Sequence, residues 1–357
     1  MKGQDGKAPR RRGRKGKNQD GGGDLISTRD GDAVFKPHRT LLIHLTEETP
    51  TWFECGRNTQ HRNDTIFTLN KKNKNGTNHS KRKTNPHHIV SKYRSLADSI
   101  YRQEVSLFRS SSNSNSDRDE QWVENTMKRG TLKDRIAAMS VVVSSHPVHK
   151  LYALDMLLNL AGVATGENTN SGQTNERVGQ MASEALTDLF TSTLLPSNRK
   201  LIGLEARPLY LYEESEGKNK LSISPRTLLL WRYEEMLKEK YTGFITQYLG
   251  RTLDQSGTAS LDLTKISCLR TACSLLRDLP EGEQILLGLV VNKIGDPSKK
   301  VAAAAAHELR RTLEAHPNMT TIISREVSKD ADWSIDFSLQ RLINLQCLLL
   351  LLERSNN

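Results

Sequence analysis

The sequence predicts an all-α fold in which pairs of helices lie side by side, an α-solenoid, with disordered basic segments at its N-terminus. Two observations indicate this. Apolar residues recur at spacings of three and four through most of residues 126–327, which is the period of an amphipathic helix. Over the same residues there is no strand-like alternation of any length, so a sheet is not expected.

Residues 130–160 contain the first predicted pair of helices. Thr131 can cap a helix whose third residue is Asp134, and His146-Pro147 ends it because proline cannot donate the next hydrogen bond. A corner of two to four residues then leads to a second helix. Such an αα-hairpin cannot bury its apolar face alone, so we expect further hairpins beside it. The apolar positions are Leu132, Ile136, Met139 and Val143 on the first helix and Val148, Leu151, Leu154, Leu157 and Leu158 on the second.

Four further amphipathic stretches follow. One ends near Pro196, Ser224-Pro225 begins the next as N-cap and first-turn proline, and Pro280 separates the last two. The cysteines Cys268 and Cys273 are predicted to be small core residues. The predicted apolar positions are Val178, Ala182, Ala185 and Leu189; Leu229, Tyr233, Met236, Leu237, Phe244 and Tyr248; Leu263, Ile266, Leu269, Cys273 and Leu276; and Ile285, Leu286, Leu289, Val290 and Ile294.

Residues 295–318 show the repeat most clearly. Gly295 is predicted to close one helix, Asp296 to cap the next, and Pro297 to occupy its first position. His316-Pro317 then ends this helix, as His146-Pro147 ends the first one. A helix, a corner and a helix over roughly 40 residues are typical of HEAT and armadillo-type repeats. We therefore predict a HEAT/armadillo-like solenoid.

The net charge of +11 is concentrated in two polar segments. Residues 1–24 hold eight Lys or Arg against three acidic residues, and residues 71–94 hold eight with no acidic residue. Concentrated, solvated positive charge favours a polyanion because binding releases counterions. We predict that the two segments contact nucleic acid through Arg10, Arg11, Arg12, Arg14, Lys15, Lys17, Lys71, Lys72, Lys74, Lys81, Arg82 and Lys83.

These patterns divide the chain into four parts. Residues 1–40 are predicted to be a disordered basic arm, since glycine and charge preclude a core. Residues 41–117 are predicted to be partly ordered and basic, with Trp52-Phe53 as an anchor that packs on a folded surface, a docking helix after His88, and a linker at residues 110–116. Residues 118–330 are the helical repeat domain, and residues 331–357 are a divergent C-terminal tail.

No catalytic constellation is found in the sequence, so we predict a non-enzyme without cofactor, metal or small-molecule substrate. His146 and His149 are three residues apart, but no Glu or Cys nearby in the sequence completes a set of metal ligands, and a role at a helix corner is favoured. The four cysteines form neither a zinc pattern nor a disulfide framework. The most apolar run, residues 342–352, is too short to span a bilayer, so no membrane is expected.

Several stretches, in order, resemble a known family. It is the nucleolar-complex family of ribosome assembly factors, also labelled CCAAT/enhancer-binding protein zeta or CCAAT-binding factor, and the similarity covers about residues 52–327. Weaker matches lie at Trp52-Phe53 and residues 97–101. The main matching stretches are residues 130–135 with 137–139, residues 194–201, Arg207-Pro208, Leu230-Trp231, residues 290–297, residues 316–319 and Glu326-Val327.

The resemblance implies a nuclear, mainly nucleolar, HEAT-like scaffold that acts in early ribosomal RNA processing and in assembly of the large (60S) subunit. The partners it implies are pre-ribosomal RNA, proteins of pre-60S particles and a related nucleolar-complex protein. From Ser328 the sequence departs from the family's pattern, and it stops where members continue. We therefore expect a C-terminally truncated member that lacks the downstream family domain.

Two alternatives remain open from the sequence. The older family label implies a transcriptional regulator that binds CCAAT-box DNA, which would need a helix presenting Arg, Asn or Gln to base edges. No stretch here pairs a basic recognition helix with a dimerisation heptad or a zinc motif, which disfavours it. A solenoid adaptor that binds only proteins is the other alternative, and it would leave the two basic segments as simple tails.

Overall fold

The computed structural model of the 357-residue chain describes residues 27–29, 32–34, 38–45, 51–55, 85–115, 118–164, 176–213, 223–255 and 259–331. One small antiparallel hairpin pairs β1 (Ser27–Arg29) with β2 (Asp32–Val34). The secondary structure of the other described residues is helical, and no residue described between 126 and 327 lies in a strand. The all-α prediction is therefore confirmed.

The first helices differ from prediction in one respect. The single turn α1 (Trp52–Cys55) precedes the long helix α2 (His87–Asn115), which continues through Ser110 and the following residues. The predicted linker is therefore wrong for residues 110–115. The Ser110 hydroxyl bonds to the preceding turn, since its Oγ donates to the Ser106 carbonyl at 2.9 Å, and a serine can thus be accommodated within the helix.

After α3 (Arg118–Arg129), the predicted αα-hairpin is present as α4 (Leu132–Ser145) and α5 (Leu151–Leu160). Thr131 Oγ1 accepts from the Asp134 backbone N–H at 3.4 Å and donates to Asp134 Oδ2 at 2.6 Å, which confirms the predicted cap. The corner spans residues 146–150 instead of two to four residues. Val148, predicted to lie on the second helix, is fully buried but lies in this turn.

The middle of the chain contains two helices that each run into a π-helical segment. Ser224 caps the second of them as predicted, because its hydroxyl accepts from the Thr227 N–H at 3.2 Å with Pro225 in the first turn. The elements in order are α6 (Glu176–Leu189) with its π segment Phe190–Leu194, a 3-10 turn at Leu204–Ala206, α7 (Tyr210–Glu213), α8 (Pro225–Gly243) with its π segment Phe244–Gly250, and α9 (Arg251–Asp254).

The last described helices are separated by short corners. They are α10 (Ala259–Asp278), α11 (Glu283–Asn292) with a 3-10 turn at Lys293–Gly295, α12 (Lys299–Ala315), a 3-10 turn at Pro317–Met319, and α13 (Thr320–Ala331).

The predicted start of α12 is two residues too early. Ser298 is the N-cap residue, and Asp296 instead accepts from the Ser298 N–H at 3.0 Å. The carboxylate therefore closes a turn within the corner, as Asp side chains commonly do. The predicted end at His316-Pro317 is confirmed, since α12 stops at Ala315.

The helices pack in two rows. In one row, α4, α6, α10 and α12 each contact the next helix of the row. In the other, α11 contacts both α13 and the π segment that follows α8. α2 lies along α8, and one continuous hydrophobic core extends from Ile43 to Val327.

Two predicted core positions are wrong. Leu263 is 72% exposed and Ile285 is 40% exposed. α10 is contacted from several sides, by α6, α11 and α12, so its buried surface is broader than one apolar stripe and includes Lys265, which pairs with Asp296 at 3.3 Å. Cys268 and Cys273 are buried, as predicted. None of the described helices has the length and apolar character needed to cross a membrane.

Candidate interaction surface

The twelve residues predicted to contact nucleic acid, from Arg10 to Lys83, all lie outside the part of the chain that the structure describes. The structure does describe where the chain joins the helical body just after them. Asn85 Nδ2 donates to the carbonyl oxygens of Glu205 at 2.7 Å and Arg207 at 2.6 Å. Its Oδ1 accepts from the Tyr210 N–H at 3.1 Å. The end of the second basic segment is therefore fixed beside the irregular loop between α6 and α8.

That loop, residues 195–209, is held to α8 by buried carboxylates. Glu234 accepts from Arg207 Nη2 at 2.7 Å, from Arg199 Nη1 at 2.5 Å and from the Ile202 N–H at 2.9 Å. The next residue on α8 does the same for α2, because Glu235 accepts from Arg94 Nη2 at 2.9 Å. This cluster binds the loop and α2 to one helix.

The Glu235 carboxylate of this cluster is ionised in the fold. Burial alone would raise the pKa of Glu235, but the hydrogen bond and charge of Arg94 together with Arg232 hold it below its ordinary value. Glu234 is also buried and is paired with two guanidinium groups. Because both carboxylates are already bound by guanidinium groups, the cluster has a structural role in positioning the loop.

The predicted aromatic anchor packs on the same cluster. Trp52 is 1% exposed, its Nε1 donates to the Leu194 carbonyl at 2.8 Å, and its ring lies edge-on to Tyr233 at 5.1 Å. Arg199 lies 5.9 Å from the centre of the Trp52 ring, and Arg207 lies 5.0 Å from that of Trp231. Several stretches that carry the family resemblance therefore meet here, in a buried connection.

A second buried carboxylate, Glu104, binds His149 of the first corner. His149 Nε2 lies 3.2 Å from Glu104 Oε1, and His38 Nε2 lies 3.1 Å from Glu104 Oε2. Glu104 also accepts from the N–H groups of Leu42 and Ile43 at 3.0 Å. Burial raises the pKa of Glu104, but these bonds outweigh it and the pKa lies below its ordinary value. The contact spans 45 residues of sequence, so no local pattern could reveal it.

These residues do not form a metal centre. Among the residues that the structure describes, no group of three or more His, Cys, Asp or Glu side chains is placed to hold a metal ion. His149 instead packs flat against Phe108, with ring centres 4.3 Å apart. Burial and the charge of Lys150 lower the pKa of His146 from its ordinary value. The helix-corner interpretation of His146 and His149 agrees with this geometry.

An open groove of about 500 Å³ lies between α2, α3 and the start of α5. Phe108 and His149 line it together with charged side chains of both signs, including Arg109 and Glu124. Lys150 Nζ lies 3.5 Å from Glu120 Oε1 across it. The groove therefore mixes both signs of charge and is not a purely cationic surface.

No protein-family profile matches the chain. Individual proteins do. The human CCAAT/enhancer-binding protein zeta is 35% identical over 247 residues, which are 69% of this chain and 22% of that protein. Nucleolar complex protein 1 of Drosophila melanogaster is 31% identical over 59% of the chain and 17% of its own length. The ribosome biogenesis protein NOC1 of Chaetomium thermophilum is 27% identical over 68% of the chain and 22% of its own length.

The chain thus spans about a fifth of the length of the curated relatives that it matches. Their names point to ribosome biogenesis and indicate the nucleolus, and none of the three names is that of an enzyme. The names of these relatives agree with the family that the sequence stretches resemble. The chain belongs to the nucleolar-complex family, which is also labelled the CCAAT/enhancer-binding protein zeta or CCAAT-binding-factor family.

Proposed function

We propose that this chain is a non-enzymatic scaffold of early pre-60S particles, which acts in ribosomal RNA processing in the nucleolus. The observation that carries the proposal is its similarity to proteins named for the nucleolar complex and for ribosome biogenesis. Its partners on this proposal are pre-ribosomal RNA, pre-60S proteins and a related nucleolar-complex protein. A scaffold needs rigid surfaces and no reactive centre.

The helical body supplies the rigid part as a HEAT-type solenoid. Its support is the order of packing, in which α4, α6, α10 and α12 form one row and α11 and α13 belong to a second. In a solenoid each pair of helices buries its apolar face against the next pair, and the array offers long surfaces to other macromolecules. The buried bonds of Glu234 fix the one long irregular loop of the described body to that array.

The basic segments supply the RNA contacts. The twelve predicted residues carry a net positive charge that the rest of the chain lacks, and Asn85 attaches the second segment directly to the body. Cationic segments tethered to a rigid body raise the rate of encounter with RNA and the effective concentration for further contacts.

Affinity purification of the full chain from nuclear extract tests the proposal. We expect large-subunit RNA precursors and nucleolar assembly proteins to be enriched over a control purification of a variant with the twelve basic residues changed to glutamine. Recovery of promoter DNA containing CCAAT boxes in place of these precursors would instead support the DNA-binding alternative suggested by the name of the human relative.

A further inference from the structure

The outward face of α3 carries an unusual set of side chains. Arg118, Trp122, Asn125 and Arg129 follow at spacings of four, three and four residues, which places them on one side of the helix. All four are exposed, and 68% of the surface of Trp122 is open. So large an exposed fraction is unusual for tryptophan, whose side chain is highly buried on average.

The orientation of this face is fixed by the opposite side of the helix. Met127 is buried and Val123 packs against the core, while α3 as a whole lies against α4. The C-terminal end is tied down, since Arg135 Nε donates to the Met127 carbonyl at 3.1 Å and the Gly130 N–H to the Thr126 carbonyl at 2.8 Å. Trp122 is therefore presented outward on a rigid support.

The charge of the face is uncompensated. Within the described part of the chain, neither Arg118 nor Arg129 forms an ion pair, whereas Glu120 of the same helix is turned into the groove and pairs with Lys150. Lys128 is also exposed, at the edge of the groove. The face thus presents two guanidinium groups, an amide and an indole, with no carboxylate among them. Such a set of donors around a flat ring matches a polyanion that has exposed bases.

We propose that this face of α3 binds single-stranded RNA, with a base stacked on the Trp122 ring, phosphates paired with Arg118 and Arg129, and the Asn125 amide bonded to a base edge or ribose. The two arginines lie about 16 Å apart along the helix axis, a span that a few nucleotides bridge. The inference rests on the proposed function only in taking RNA as the partner, and it needs none of the twelve residues of the basic segments.

The surroundings of Trp122 favour RNA over a protein partner. The fully buried core of a protein interface is more apolar than the rest of the surface and is depleted in charged residues overall. Among the described residues, no other exposed large apolar side chain lies on α3; those outside it include Val141, Leu263 and Ile322 on other helices. The residues beside Trp122 on its own face are basic or polar.

The experiment measures binding of the full chain to a labelled oligouridine of 12 nucleotides by fluorescence anisotropy, with the twelve basic residues of the segments changed to glutamine. In this background we expect Trp122→Ala to weaken binding roughly tenfold or more, which is the range for loss of one stacked base. Trp122→Phe should keep most of the affinity because a ring remains. Leu263→Ala, which removes an equally exposed apolar side chain elsewhere, should leave the affinity unchanged.

The arginines are tested by salt dependence. Arg118→Gln and Arg129→Gln should each reduce the slope of log K against log salt by about 0.7, the value for one phosphate of a single strand. The proposal is overturned if Trp122→Ala binds oligouridine as tightly as its parent. It is also overturned if Trp122→Ala keeps its RNA affinity but no longer recovers from extract a protein that the parent recovers. Because the basic segments are neutralised throughout, their failure to bind RNA would not affect these outcomes.

Discussion

Arg207 and Glu234 form a buried ion pair, with Nη2 and Oε2 2.7 Å apart, that joins the irregular loop to the longest helix of the middle region, α8. Arg199 binds the other oxygen of the same carboxylate. We predict that Glu234→Ala lowers the free energy of unfolding by about 3–5 kcal/mol, because two guanidinium groups lose the carboxylate that compensates their charge. Chemical denaturation measures it, and Glu239→Ala on the exposed side of α8 should change stability by less than about 0.5 kcal/mol.

The pH dependence of stability follows from Glu104. Its pKa is lowered in the fold, so the ionised form contributes stability fully above the ordinary carboxyl pKa of about 4.3. This contribution is lost as the pH falls through the lower pKa of the folded state. Glu104→Gln should therefore be less stable than the parent at pH 6, and its stability should fall less steeply below pH 4.3. Parallel curves for parent and variant over this acid range would contradict the assignment.

The junction after the second basic segment depends on Asn85. Asn85→Ala removes the acceptor of the Tyr210 N–H and two donated bonds. We expect a loss of about 1–3 kcal/mol, because a typical bond contributes about 1 kcal/mol and two of the three are partly buried. Hydrogen exchange at the Tyr210 amide gives the specific readout and should accelerate. Unchanged protection at that amide would show that the junction is held by other contacts.

Truncation of two tryptophans of the chain should change stability by very different amounts. Trp52→Ala removes a side chain that is 1% exposed together with its bond to the Leu194 carbonyl, and should cost about 3–5 kcal/mol of stability. Trp122→Ala, at 68% exposure, should lie within about 0.5 kcal/mol of the parent. Thermal denaturation of both variants compares them directly, and a large loss for Trp122→Ala would mean that this ring is needed for folding.

The buried thiols should be chemically inert in the folded chain. Burial raises the pKa of Cys268 to about 11 and that of Cys273 to about 12. Since the thiolate is the reacting form, alkylation of both at pH 8 should be slow until denaturant unfolds the protein. Peptide mapping after iodoacetamide treatment reports each position, and rapid native labelling of Cys273 would contradict its place in the core.

Local signals in the sequence predicted the helices and several of their ends. Thr131 with Asp134, Ser224 with Pro225 and the two His-Pro pairs act on the backbone within a few residues, so the structure reproduces them. Asp296 shows the limit of such signals, because an Asp can close a turn or cap a helix with the same side chain.

Contacts distant in sequence could not be predicted in the same way. Glu104 and His149 are 45 residues apart, and Asn85 and Arg207 are 122 apart. Lys265 is buried because α10 is enclosed from several sides and Asp296 is available to pair with it, whereas Leu263 two residues earlier is exposed. Which charged side chain is buried depends on the partner that the fold places beside it, and the spacing of apolar residues along a helix does not encode that partner.

The central claim is that two cationic segments give a nearly neutral helical body its affinity for RNA. Filter binding of structured ribosomal RNA across a range of salt concentrations tests it most directly, comparing the full chain with the variant in which the twelve basic residues are glutamine. Substitution is preferable to truncation because Asn85 and α2 follow Lys83, the last of the twelve residues, closely. We predict a steep salt slope for the full chain and a slope of about 1.4 or less for the variant, which is the contribution expected from Arg118 and Arg129 together. Equal affinity and equal slope for the two chains would contradict the account.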